Sequence, residues 1–98
     1  MTDLNKTHYI GENGTNIIID VKSDISTATK LIMMTQKPSG KCYQWVASAL
    51  GLSSAKYKIK KGDLNEAGTY TVQLYLEMPD WAGYAYPITF NVQKPITI

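Results

Sequence analysis

Tyr70-Thr71-Val72-Gln73-Leu74-Tyr75-Leu76-Glu77-Met78 is the clearest stretch in the chain. Its even positions, Tyr70, Val72, Leu74, Leu76 and Met78, are all apolar, and its odd positions carry Thr71, Gln73, Tyr75 and Glu77. A period of two turns one set toward a core and the other toward water, the signature of a half-buried strand. Downstream, Pro79-Asp80-Trp81-Ala82-Gly83 reads as a turn, after which Tyr84, Tyr86, Ile88, Phe90 and Val92 occupy one face of another strand. Pro87 has no N–H to give to a ladder, so that strand is expected at a sheet edge or with a bulge there.

Toward the N-terminus the same pattern recurs between short turn signals. Asn13-Gly14 is a hairpin-type pair, and residues 15–21 after it place Ile17, Ile19 and Val21 on one face, with Ile18 and Asp20 on the other. Residues 22–27 are polar and loop-like. The unbroken run Leu31-Ile32-Met33-Met34 fits a strand covered on both faces, or one whose outer face meets a partner. Pro38-Ser39-Gly40 turns the chain back into residues 42–47, where Tyr43, Trp45 and Ala47 share a side. A helical turn at 46–52 is cut short by Gly51, and residues 51–54 read as loop. Tyr57 and Ile59 then alternate with lysines in a half-exposed strand. About seven short strands with regular turns and no convincing helix specify an all-β, antiparallel β-sandwich, one domain over residues 1–98 with a short tail from about residue 94.

The 98 residues suffice for one core without staples, because a chain of this size buries roughly two-thirds of the surface its unfolded form exposes. A hydrophobic fraction of 44% and a charged fraction of 18% are ordinary for a globular domain. The formal charge of +2 is built from ten Lys and no Arg. Without the planar fork of Arg to grip phosphates and base edges, specific nucleic-acid reading is not expected. Lys56, Lys58, Lys60 and Lys61 come nearest to a basic patch, but their alternation with Tyr57 and Ile59 makes them the wet face of a strand. Cys42 stands alone, so an internal disulfide is excluded. No signal-peptide pattern opens the chain, and no apolar run approaches the ~20 residues of a membrane span. Two glycosylation sequons, Asn5-Lys6-Thr7 and Asn13-Gly14-Thr15, read as chance in that context.

Gly62-Asp63-Leu64-Asn65-Glu66-Ala67-Gly68-Thr69-Tyr70-Thr71-Val72 resembles the E–F corner of immunoglobulin-like domains. In that corner a Tyr near the start of strand F returns its hydroxyl to backbone a few residues upstream. The resemblance implies that Tyr70, two residues after Gly68, plays this part with backbone at 62–64. It also sets Val72 where antibody-type domains carry their second cysteine and Trp45 in the place of the interior tryptophan. A narrower resemblance runs from about residue 24 to residue 92. It is carried by Ser26-Thr27-Ala28-Thr29 before the apolar run, by Lys37-Pro38-Ser39-Gly40, by Gly62-Asp63-Leu64 and Ala67-Gly68-Thr69-Tyr70, and by Tyr86-Pro87-Ile88-Thr89-Phe90-Asn91-Val92. In these the chain is similar to small immunoglobulin-like virion proteins of tailed bacteriophages, and to the N-terminal domain of the baseplate upper protein family. The resemblance implies a structural or adhesion module of a phage particle (baseplate, tail fibre attachment or capsid decoration) that touches other virion proteins or copies of itself. The chain lacks that family's long C-terminal region, which points to a free-standing accessory protein of the virion.

Groups for chemistry are few. Nucleophilic catalysis needs a base such as His, and His8 is the only one. Cys42 fits a small buried hydrophobe better than a thiolate nucleophile. One Cys and one His cannot build a four-ligand zinc site. Asp20, Asp24, Asp63 and Glu66 read as turn caps and not as a calcium site or an acid–base pair. The expectation is therefore a protein that is not an enzyme and uses no metal or cofactor. The candidate contact residues are Trp81 and Tyr84 in the C-terminal hairpin, and Met33 or Met34 with Ile32 on the apolar run. Trp81 has an alternative, folding back over the open end of the core, and at least one of Tyr84 and Tyr86 is expected inside. Two other readings stand beside the contact module. One is a carbohydrate-binding module that stacks a host-surface sugar on Trp81, Tyr84 and Tyr75; the other is a soluble phage protein that blocks a host factor.

Overall fold

Alternation of apolar and polar side chains dictates the strands of the computed structural model, which describes residues 7–96. Among those residues run nine strands and no helix: β1 (His8–Tyr9), β2 (Asn16–Asp20), β3 (Lys30–Gln36), β4 (Cys42–Val46), β5 (Ser48–Leu50), β6 (Ser54–Lys58), β7 (Gly68–Met78), β8 (Trp81–Tyr84) and β9 (Ile88–Gln93). The additions to the expected set are short. β5 is exposed at all three positions, so it carries no alternation to read, and β8 occupies most of the expected turn at 79–83. Asn5, in the first sequon, lies outside the described residues.

The strands form two sheets. The larger has the order β1-β9-β7-β3-β4, with β8 also paired to β7, and the smaller has the order β2-β6-β5. Every pair is antiparallel except β1 with β9, so the large sheet is mixed and not wholly antiparallel as the sequence suggested. A single residue, Ala47, carries the chain from β4 in one sheet to β5 in the other, and its N–H is tied to the Leu31 carbonyl at 2.9 Å. The result is a sandwich-like all-β fold.

The core lies between the sheets. Ile17, Ile19, Ala55, Tyr57 and Ile59 from the small-sheet side meet Leu31, Met33, Trp45, Phe90, Val92 and the even positions of β7. Tyr70, Val72, Leu74 and Leu76 are almost wholly enclosed, at 0, 0, 0 and 2% exposure. At about 1.5–3 kcal/mol each, their burial gives a gross gain of roughly 6–12 kcal/mol, comparable with the net stability of a whole domain. Trp45 stacks on Tyr57 with ring centroids 4.7 Å apart, and Tyr70 stacks on Phe90 at 5.4 Å.

The turn before β7 is held by side chains. The Tyr70 hydroxyl donates to the Glu66 carbonyl and accepts from the Glu66 N–H, both at 3.1 Å. The partner is thus Glu66, not the 62–64 segment expected, because the chain doubles back closer to the strand. Asp63 accepts from the Tyr57 hydroxyl (2.6 Å) and from the Lys60 N–H (2.8 Å). Glu66 accepts from the N–H and hydroxyl of Ser39, which staples the β3–β4 hairpin to this turn. Buried Lys37 reinforces the staple through Asn65 Oδ1 at 2.7 Å, with its ammonium over the Tyr43 ring. Gly68 has φ of +131°, and a Cβ there would sit 2.8 Å from Pro38 Cβ, so glycine is required on both counts.

Pairing along β7 holds a one-residue slip. Tyr84 lies opposite Tyr75 and Ile88 lies opposite Val72, so four steps along the β8–β9 segment match three along β7. The extra residue falls at 85–87, next to Pro87, and reverses the inward side of the strand. Phe90 and Val92 therefore point into the core, whereas Tyr84 and Tyr86 are exposed. The expectation that one of these tyrosines is interior fails for this reason.

Candidate functional site

Several groups that could carry chemistry hold turns. His8 is buried against the Phe90 ring, and its Nδ1 lies 3.0 Å from Glu12 Oε1. Burial of the Glu12 carboxyl opposes its ionisation, but hydrogen bonds from His8, Thr15 and the Tyr9 N–H outweigh that and hold it below the ordinary carboxylate range. The Asp20 carboxylate accepts from the Lys22 N–H and the Ser53 hydroxyl, which lower it, and Asp24 is lowered by the Ser26 side chain and by the Ser26 N–H, from which it accepts at 2.8 Å. Among the described residues no three Asp, Glu, His or Cys side chains are grouped as metal ligands. Cys42 is exposed, not a buried hydrophobe, because it faces outward on edge strand β4. A groove between β2 and residues 84–88 is open and apolar, and Asp20, already hydrogen-bonded, is the only charged residue lining it.

The large sheet has an outer face of a different character. The register places Val46, Ile32, Tyr75 and Tyr84 side by side in one row across β4, β3, β7 and β8. The next row holds Gln44, Met34 and Gln73. Val46 is 76% exposed and Tyr84 57%, while Ile32, Met34 and Tyr75 are half-buried by their neighbours. Tyr75 and Tyr84 touch at 5.1 Å between centroids. Lys30 and Glu77 pair at 3.8 Å at one end of the face. Apart from them, no Asp, Glu, Lys or Arg takes an outward position on β3, β4, β7, β8 or β9. The outer face of the small sheet is the opposite case, with Lys56, Lys58 and Asp20 among its outward residues.

The four contact candidates do not come together on this face. Met33 is fully enclosed and belongs to the core, since it pairs with Trp45 and Leu74 on the inner side. Met34 and Tyr84 are outward. Trp81 is exposed to 53% but lies on the other side of β8 from Tyr84, three residues away in a regular ladder. Its ring covers Gly83, where a Cβ would stand 2.5 Å from it, and it borders the end of the sandwich near Val21, Ile25 and Met78. Trp81 thus stands at the end of the sandwich with about half of its surface in solvent. Trp81 and Tyr84 both border a hollow at that end of the sandwich, and Tyr84 is tilted by 54° against Tyr75. Val46, which the sequence reading passed over, completes the row through its pairing with Ile32.

No protein-family model and no curated protein matches the sequence.

Proposed function

We propose that this chain is a non-enzymatic contact module of immunoglobulin-like type, serving as a structural or adhesion part of a tailed phage particle. The immunoglobulin-like assignment is supported by strand grouping: β2, β6 and β5 stand together as strands B, E and D do, and β3, β7 and β9 as C, F and G. It is supported further by the Tyr70 hydroxyl bonded back to Glu66 backbone at the entry to β7. The virion placement rests on the resemblance of the quoted motifs. The observation that carries the contact role is the outer face of the large sheet, whose row of Val46, Ile32, Tyr75 and Tyr84 lacks charge over most of its extent. Uncharged cores rich in Tyr and Met are what distinguish contact surfaces from ordinary solvated ones.

The test is composition of purified particles. Mass spectrometry should find the chain in particles from the phage that encodes it. A Met34→Glu, Tyr84→Lys double variant should fold normally and be lost from them. If the wild-type chain is absent from particles, the virion role is refuted; if the double variant is incorporated normally, the outer face is not the contact surface.

A further inference from the structure

We propose that the outer face of the large sheet pairs with the same face of a second copy of this chain. The two-fold axis would run along the strands, between β3 and β7. This rests on the contact-module reading and names its partner.

The self-complementarity is in the register. β3 and β7 are the middle pair of the four strands, β4, β3, β7 and β8, that carry the row. A two-fold along their boundary lays β3 of one copy over β7 of the other. Residues that are cross-strand neighbours within one chain then face each other between chains. Lys30 neighbours Glu77, Ile32 neighbours Tyr75, and Met34 neighbours Gln73. The pairing therefore sets each Lys30 against the other copy's Glu77, so the two charges that the described strands carry on the face meet their opposites. Ile32 packs over Tyr75 at the centre, and Met34 meets an amide able to bond a second amide across the axis. No like charges are brought together. The lysine-bearing face of the small sheet points away from the contact, where repulsion between copies is weakest.

Size sets the strength. The seven paired positions of β3 and β7, with five residues of β4 and four of β8, cover roughly 380 Å² in projection on each copy at about 3.4 × 4.8 Å per residue. The pair buries roughly 750 Å² in projection, below the about 1,000 Å² of a stable specific interface and in the range of weak, transient ones. The expected state is a concentration-dependent dimer, not an obligate one.

Sedimentation velocity of the full chain from about 1 μM to about 1 mM tests this, a span over which a dimer of modest affinity forms. The wild type should shift from monomer to dimer. Ile32→Lys and Tyr84→Lys should each remain monomeric with an unchanged circular dichroism spectrum; the exposed Tyr84 site keeps the test valid if the Ile32 variant misfolds. Lys30→Glu alone or Glu77→Lys alone should weaken the dimer about tenfold, a change of about 1.4 kcal/mol. The double exchange K30E/E77K should restore it. A wild type monomeric at about 1 mM, a dimer indifferent to both lysine substitutions, or a double exchange that fails to restore pairing each overturns the proposal. A monomer that still enters particles overturns self-pairing alone, whereas a dimer absent from particles overturns the virion role alone.

Discussion

Replacing Tyr70 by Phe removes one oxygen atom and keeps the ring that is stacked on Phe90 at 5.4 Å. That oxygen makes two hydrogen bonds of 3.1 Å, one to the Glu66 carbonyl and one from the Glu66 N–H. At about 1 kcal/mol net for each bond, the substitution should cost about 2 kcal/mol. Glu66 is only half-buried, so water can reach part of its freed backbone and the larger penalty for wholly enclosed unpaired groups does not apply. In a domain of this length, 1 kcal/mol corresponds to about 4–8 °C, so the melting temperature should fall by about 8–16 °C. Tyr70→Ala also empties a site at 0% exposure and should cost about 3–5 kcal/mol. Thermal and urea unfolding followed by circular dichroism would measure both. A loss under about 0.5 kcal/mol for Tyr70→Phe, beside a large one for Tyr70→Ala, would show that the hydroxyl does not tie the turn to β7.

Trp45→Ala should destabilise by about 3–5 kcal/mol, because Trp45 is 5% exposed and stacked on Tyr57, whereas Trp81→Ala should cost markedly less. Equal losses in urea unfolding would contradict the placement of the two rings. Burial, with Asp63 accepting its proton, raises the Tyr57 phenol above its ordinary value of 10.0. The neutral phenol is the form the fold prefers, so this contribution is complete below about pH 10 and is lost as pH rises through the folded value. Tyr57→Phe should therefore lower stability at neutral pH and flatten its decline in the alkaline range; an unchanged alkaline slope argues against the bond. Cys42, exposed on β4, should react with a thiol reagent in the native protein at the rate of a free thiol, and Cys42→Ser should leave the melting temperature within about 2 °C. Labelling only after denaturation would place β4 in the opposite phase.

Local alternation alone determined most strands and their inward residues. Ile17 and Ile19, Tyr57 and Ile59, and the even positions of β7 could be assigned to the core from a period of two, since each strand's two faces are set by its own covalent geometry. The tyrosine of the β7 entry and the interior Trp45 were legible as well, though the acceptor of the Tyr70 hydroxyl was not, because it depends on how tightly the loop doubles back. Tertiary pairing decided what periodicity cannot. β5 has no buried face, so only its ladder with β6 makes it a strand. The Leu31-Ile32-Met33-Met34 run is apolar on both sides, and only pairing with β4 and β7 shows Met33 inward and Met34 outward. The slip at 85–87 put Tyr84 and Phe90 on opposite sides although both are even-numbered, because a ladder counts residues between partners and not along one strand. The candidate surface has the same origin. Val46, Ile32, Tyr75 and Tyr84 come from four separate segments of chain, and nothing short of the register between strands brings them into one row.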